Sequence, residues 1–176
     1  YKLKKLRYIQ VLGDNSLGEF IVSKIPSNLV QIYFAGINSL SVSSALSEFP
    51  KTLKRLAFTD AIFYIYGQLS DIWEGCQEMS LDNSESNLSG YLSDLPSTMI
   101  TFTIPNINTS YIRGGSEPIK ATDLSFIDLS GLGLSQDDVD SILSRCAEDV
   151  EVFSYKYGYP SLTLTGNSIP SSQGLV

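Results

Sequence analysis

Apolar residues recur at a regular interval along this chain, and that interval is the feature that most restricts its fold. In each repeat, apolar residues stand at positions one, four and six, and residues 25–40 show the pattern clearly. A period in the twenties indicates a solenoid, in which repeats stack because no single repeat buries its own apolar face. The repeats begin at Leu6, Leu29, Leu53, Cys76, Met99 and Leu124, so the steps are 23, 24, 23, 23 and 25 residues.

The apolar residues at positions four and six predict one short strand in each repeat. Alternation places every second side chain on the same face of a strand, which here is the buried face. We expect the strands to form one parallel sheet of about seven strands, with the connections returning behind it. The predicted strands are centred near Ile9, Ile32, Leu56, Met79, Phe102, Ile127 and Leu162.

The returns between strands are predicted to be short and mostly without α-helix. Three of them contain an apolar residue followed by proline, at residues 25–26, 49–50 and 95–96. Because proline fixes its own φ and favours an extended residue before it, we expect irregular, polyproline-like or 3₁₀ segments there.

Position ten of the template is asparagine in only some of the repeats. An amide at this place can point inward and bond the backbone groups of neighbouring turns. Because other residues replace it elsewhere, we expect the stack to be irregular between Ile62 and Glu85. Position ten is occupied by Asn15, Asn38, Ile62, Glu85, Asn108 and Gly133.

One α-helix is predicted, over residues 136–148. Ser135 is a suitable N-cap, and Asp138 follows it by three positions, as in a capping box. Apolar residues at i, i+3, i+4 and i+7 then give the helix one buried face. That apolar stripe consists of Val139, Ile142, Leu143 and Cys146.

Composition argues against several classes of function. The 176 residues include 12 Lys and Arg against 19 Asp and Glu, and a net charge of −7 disfavours a nucleic-acid partner. The absence of histidine removes Ser-His-Asp and Cys-His catalysis and the commonest zinc ligand. No apolar run approaches the ~18 residues that membrane insertion requires. We therefore expect no enzyme activity, no cofactor, no metal site and no insertion into a membrane.

Two smaller features have structural interpretations. We interpret the acidic cluster of Asp137, Asp138 and Asp140 as favoured by the helix dipole in a first turn, rather than as a calcium site. Cys76 occupies position one of its repeat and Cys146 lies on the apolar face of the predicted helix. Because the two cysteines belong to different repeats and faces, we expect them to be buried and unbridged.

The two ends of the chain are less regular than its middle. Residues 150–159 form an aromatic connector that fits either an extra strand or a cover over the end of the stack, and residues 171–176 look like the start of a helix. The chain begins at Tyr1 without a charged-then-apolar leader. We expect residues 1–176 to be a single repeat domain belonging to a longer protein.

Two segments carry a family resemblance: LSFIDLSGLGLSQDDVDSIL, from residue 124, and LTLTGNSIPSSQGL, from residue 162. They resemble the closing repeats of leucine-rich repeat proteins from bacteriophages and Bacteroidetes-type bacteria, in which a helix is followed by a strand reading L-x-L-x-G-N. The resemblance to the leucine-rich repeat family covers nearly the whole chain and implies an α/β solenoid with a curved parallel sheet and a binding role without catalysis. Cys76 and Tyr159, which stand at leucine positions, depart from the pattern.

In the leucine-rich repeat fold, positions three, five and seven face outward on the concave side of the sheet, and the resemblance places the candidate binding surface there. Aromatic residues and arginine are common at interface hot spots, although single exposed aromatics are ordinary and tyrosine favours strands in any case. The returns, rich in Ser, Asp and Pro, offer no comparable cluster. The candidate partner-binding residues are Tyr8, Gln10, Gln31, Tyr33, Arg55, Glu78, Asp82, Phe126 and Asp128.

Three functions are compatible with such a surface. The leading hypothesis is a non-catalytic recognition module on a phage tail, fibre or other virion part, or on a bacterial surface, that binds a protein or a surface glycan. The second is a structural virion component that packs against sister subunits. The third is the substrate-recognition arm of a larger secreted effector. The first two place the chain on a virion, outside the cell or at the cell surface, and the flanking sequence would separate all three.

Overall fold

The repeats form the coils of a parallel β-solenoid. A computed structural model describes residues 5–13, 19–82, 85–107, 111–148 and 161–171, and the side chains of residues 38–41 and 61–62 lie outside that description. The described residues form nine strands and one α-helix. The strands are β1 (Tyr8–Leu12), β2 (Gln31–Ala45), β3 (Arg55–Gln68), β4 (Glu78–Leu81), β5 (Asn87–Tyr91), β6 (Thr101–Thr103), β7 (Tyr111–Arg113), β8 (Phe126–Asp128) and β9 (Ser161–Thr163).

A first row of strands passes through seven coils and confirms the seven predicted strand positions. It consists of β1, the first halves of β2 and β3, then β4, β6, β8 and β9, all parallel and in chain order. The register follows the sequence period, since Gln31 lies beside Tyr8 and Arg55 lies beside Gln31. The last pairing, of Phe126 with Ser161, spans the longer final step.

A second row of strands lies within the returns and belongs to the same sheet, so the prediction of about seven strands was incomplete. This second row consists of the second halves of β2 and β3, followed by β5 and β7. Alternation explains it: Phe63 and Ile65 are buried, whereas Tyr64 and Tyr66 between and after them are exposed. Each of these coils therefore buries apolar side chains from two strands.

The register changes where the chain passes from the first row to the second. In the pairing of β2 with β3, the register shifts between Ile37 and Ser41. One coil further on, Leu81 lies 23 positions after its partner Phe58, whereas Asn87 lies 21 positions after Tyr66. The described part of residues 62–85 is thus irregular, as expected.

A left-handed backbone residue turns the chain at the end of the first-row strand in every coil where that position is described. The position is the eighth of the template, and it carries only glycine, asparagine or aspartate, the residues that tolerate positive φ best. The φ values are 88° at Gly13, 68° at Gly36, 49° at Asp60, 55° at Asn106, 67° at Gly131 and 80° at Gly166.

A 3₁₀ turn closes the other corner of four successive coils, which agrees with the prediction of short 3₁₀ returns. These turns are Val22–Lys24, Leu46–Glu48, Leu69–Asp71 and Leu92–Asp94. An acidic side chain caps each of the last three by accepting a backbone N–H three residues earlier, at 3.3 Å for Glu48, 2.9 Å for Asp71 and 3.1 Å for Asp94.

Aromatic rings stack through the core from coil to coil. Ring centroids lie 4.9 Å apart between Phe20 and Phe34, and 5.3 Å apart between Phe34 and Phe58. Phe58 of the first row also meets Phe63 of the second at 5.0 Å. The two rows therefore share one apolar core.

Helix α1 (Gln136–Glu148) has the predicted bounds and the predicted cap. The hydroxyl of Ser135 donates to the carboxylate of Asp138 at 2.5 Å, and the N–H of Asp138 donates back to Ser135 Oγ at 3.3 Å. The helix packs against β7 and against Gly114, the residue after it, where an added Cβ would overlap the carbonyl oxygen of Ser141. It thereby covers the edge strand of the second row, an edge otherwise available for pairing.

Several predicted features lie outside the described residues: Asn15, Asn108, the side chain of Asn38, the connector at residues 150–159 and residues 172–176. The inward amide is seen instead at Asn167, whose Nδ2 donates to Leu129 O at 2.8 Å and to Leu164 O at 3.0 Å. In the described part of the chain, no helix is both long and apolar enough to cross a membrane.

Candidate partner-binding surface

The outward side chains at the start of the first-row strands form one continuous register row. Tyr8, Gln31, Arg55 and Glu78 follow one another on β1 to β4, and Phe126 stands in the same row on β8. At ~4.8 Å per strand, seven strands give the row a length of about 29 Å. We call this register row, together with the other outward residues of the first-row strands, the first-row face.

A shallow groove of about 630 Å³ opens along this register row. Arg55 and Glu78 form an ion pair in it, with 2.5 Å between Nε and Oε2. Because the pair is exposed to solvent, it contributes little to stability, on the order of 0–1 kcal/mol. Gln31, Thr101 and Phe126 complete its outward wall. Lys54 also lines the groove, which thus combines a charged pair, a further cation, polar groups and one exposed aromatic ring.

The other predicted residues lie on the same face but outside the groove. Gln10 and Tyr33 are register partners in the next row along, and Asp128 stands in that row on β8. The carboxylate of Asp128 accepts a hydrogen bond from Ser130 N–H at 2.9 Å and another from the Ser130 hydroxyl, so it stabilises its own turn. Asp82 follows the end of β4. The structure therefore brings Gln31, Arg55, Glu78 and Phe126 together and spreads the other five along the face.

The expectation that the returns carry no comparable cluster was wrong. The second row presents four exposed tyrosines: Tyr64 at 42%, Tyr66 at 40%, Tyr91 at 44% and Tyr111 at 49% exposed. The expectation of irregular returns gave these tyrosines no defined direction, because side chains alternate between two faces only in a strand. The alternation of apolar and other residues from 63 to 66 was the signal that could have found them.

An ion pair joins this second-row face to the helix. The guanidinium of Arg113 lies 4.4 Å from the centre of the Tyr111 ring, and its Nε lies 2.5 Å from Asp138 Oδ1. Partial burial opposes ionisation of Asp138, but hydrogen bonds from Ser135 and Arg113 outweigh it and lower the pKa of this carboxyl below its ordinary value. Asp138 is therefore a structural anion that serves both the helix cap and the second row.

The described residues contain no group of three or more His, Cys, Asp or Glu side chains that could hold a metal ion. Burial raises the pKa of the Cys76 thiol to about 12, so this cysteine is not the thiolate that a nucleophile requires. Cys76 is buried and Cys146 half-buried, and neither forms a disulfide, which confirms the prediction that they are unbridged.

The fold and its surfaces define a class: a parallel β-solenoid that presents outward side chains on two rows of strands. Comparisons with protein-family models, curated proteins and solved structures found no match. The repeat architecture therefore rests on the period of the chain itself and on the register that the strands adopt.

Proposed function

We propose that this chain is a non-catalytic recognition module of the leucine-rich repeat type, carried by a phage virion or a bacterial surface protein, and that the first-row face binds its macromolecular partner. The repeat period and the L-x-L-x-G-N segment support the family. Asn167 in that segment also accepts a hydrogen bond from Leu134 N–H at 3.1 Å, so its amide links successive coils as a repeat asparagine would.

The observation that carries the binding role is the groove across the register row of Gln31, Arg55, Glu78, Thr101 and Phe126. Each of these residues precedes an inward residue that is completely buried, such as Leu56 after Arg55. Outward residues can therefore vary without disturbing the core, which is the property that repeat scaffolds use for recognition.

Binding of envelope components tests this proposal. Immobilised wild-type protein is exposed to bacterial envelope fractions and to purified envelope proteins and glycans, and retention is compared with that by the double variant Tyr33→Ala/Phe126→Ala. If the two rings are anchors, each substitution weakens binding by about 1–2 kcal/mol, or roughly 5- to 30-fold.

The matched control carries two tyrosine substitutions on the other face, Tyr64→Ala/Tyr91→Ala, and should retain the partner. Equal retention by wild type and the first-row variant, with both folded by circular dichroism, would remove the first-row face from consideration. Concentration-dependent self-association in sedimentation experiments would then favour the structural role, in which the solenoid packs against sister subunits.

A further inference from the structure

The second-row face contains a groove of different chemistry from that of the first. We propose that this groove binds a neutral oligosaccharide, independently of the partner of the first-row face. It has a volume of about 410 Å³, within the usual range for small-ligand sites. Its lining consists of Tyr64, Tyr66, Gly67, Gln68, Asn87 and Ser89.

The register of β3 and β5 builds this sugar groove. Asn87 lies beside Tyr66, and Ser89 lies beside Gln68. The residues between them face the core, since Leu88 is completely buried. Two outward side chains from each strand therefore face the same opening. They are a phenol and an amide on β3 and an amide and a hydroxyl on β5.

Aromatic rings line the groove on β3, and a further tyrosine stands outside its lining on β7. Tyr64 and Tyr66 form one wall, with ring centroids 5.5 Å apart and planes inclined by 37°. Tyr111 on β7 lies beside Ser89, two strands away from β3, or about 9.5 Å. A pyranose ring has an apolar face of C–H bonds that packs on an aromatic ring, while its hydroxyls point sideways. A ligand that contacts the tyrosines of the groove and also reaches Tyr111 must therefore be a chain of more than one sugar unit.

The polar groups of the groove match a neutral ligand. Amide and hydroxyl side chains both donate and accept hydrogen bonds, as sugar hydroxyls also do. No lining residue is charged. Arg113, on the strand that pairs with β5, lies over the Tyr111 ring and pairs with Asp138, which already balances its charge. An anionic sugar would therefore find no compensating charge among the lining residues.

A peptide is a poorer occupant of this groove than a sugar. A peptide gains most of its affinity for a sheet by adding a strand at an open edge. Here β3 pairs with both β2 and β5, and β5 pairs with both β3 and β7, so neither strand has a free edge. The ligand must be held chiefly by side chains, and that arrangement suits stacked rings and hydroxyls.

Binding to a defined panel of sugars tests the proposal. The wild-type chain is screened on an array of neutral oligosaccharides of glucose, galactose, mannose and N-acetylglucosamine, with sialylated and sulfated oligosaccharides as charged comparators. Titration calorimetry then measures the best binder. We expect a neutral oligosaccharide to bind and Tyr66→Ala to weaken it by about tenfold or more, because an aromatic anchor is lost. Tyr66→Phe keeps the ring and should stay within about threefold of wild type.

Matched variants separate this site from the first-row face. Asn87→Ala should also weaken sugar binding, whereas Tyr33→Ala/Phe126→Ala should leave it unchanged. Failure of every neutral oligosaccharide to bind at about 10 mM would overturn the inference, as would binding of charged sugars alone. Loss of sugar binding in the first-row variant would also overturn it, while leaving the proposed role of the first-row face intact.

Discussion

Substitution of Asp60 tests the backbone turn that separates the two rows of strands. Asp60 has a φ of 49° and its side chain is exposed, so replacing it changes backbone energy far more than burial. A left-handed conformation costs an ordinary residue roughly 1–2 kcal/mol, less for asparagine and aspartate, and little for glycine. β-Branched residues are the least compatible with positive φ. We therefore expect the Gly and Asn variants of Asp60 to be about as stable as wild type, the Ala variant to be less stable, and the Val variant to be the least stable.

Urea unfolding of the four variants measures this ranking. Asp60→Val should lower the free energy of unfolding by about 1–3 kcal/mol, and each kcal/mol corresponds to a fall in Tm of about 2–4 °C for a chain of this size. Asp60→Gly and Asp60→Asn are the controls, since they also remove the carboxylate. If both controls lose as much stability as Asp60→Val, the stability contribution of Asp60 comes from its carboxylate rather than from its backbone conformation. The argument that position eight requires a residue tolerant of positive φ then fails. A Val variant as stable as wild type would refute it equally.

Three further predictions concern the core, the cysteines and the helix cap. Phe58→Ala removes a completely buried ring that contacts Phe34, Phe49 and Phe63, and should lower the free energy of unfolding in urea by about 3–5 kcal/mol; a loss under about 1 kcal/mol would contradict the packing described. In native protein at neutral pH, a maleimide should modify Cys146 well before Cys76, because burial raises the pKa of the Cys76 thiol to about 12. Mass spectrometry measures the order of modification, and earlier modification of Cys76 would contradict the prediction. Because the folded pKa of Asp138 lies below its ordinary value, its contribution to stability is present at neutral pH and lost as pH falls below about 4. Asp138→Asn should therefore be less stable at pH 7 and lose less stability on acidification, as followed by thermal unfolding.

The first row could be predicted from the sequence because its signal is strictly periodic. Leu56 and Phe58, for example, follow their repeat start by the same intervals as Ile32 and Phe34, and the register reproduces that step. The helix was equally predictable, since Ser135 and its apolar stripe are local signals. Both kinds of signal depend only on neighbours in sequence or on one constant period.

The second row was missed because its period differs from that of the first. Coils are 23 residues apart at Phe58 and Leu81 but 21 apart at Tyr66 and Asn87, so a single template does not align both rows. Two local signals were nevertheless present. Leu-Ser followed by an acidic residue recurs at 46–48, 69–71 and 92–94, where the 3₁₀ turns form. Position eight also carries a turn residue in every repeat, including Asn83.

The chemistry of the two grooves could not be predicted from the sequence, for a different reason. Which side chains share an opening depends on the register between strands, and a slip of one residue exchanges the outward and inward sets. Arg55 and Glu78 become an ion pair only because they are register partners, and the same holds for the placing of Asn87 beside Tyr66. In the second row, the change of step between coils decides that register. Tyr64 and Tyr66 therefore acquire a common polar floor through an irregularity of the repeat, and variation of coil length is a means by which such a solenoid can form a second outward groove without altering its first.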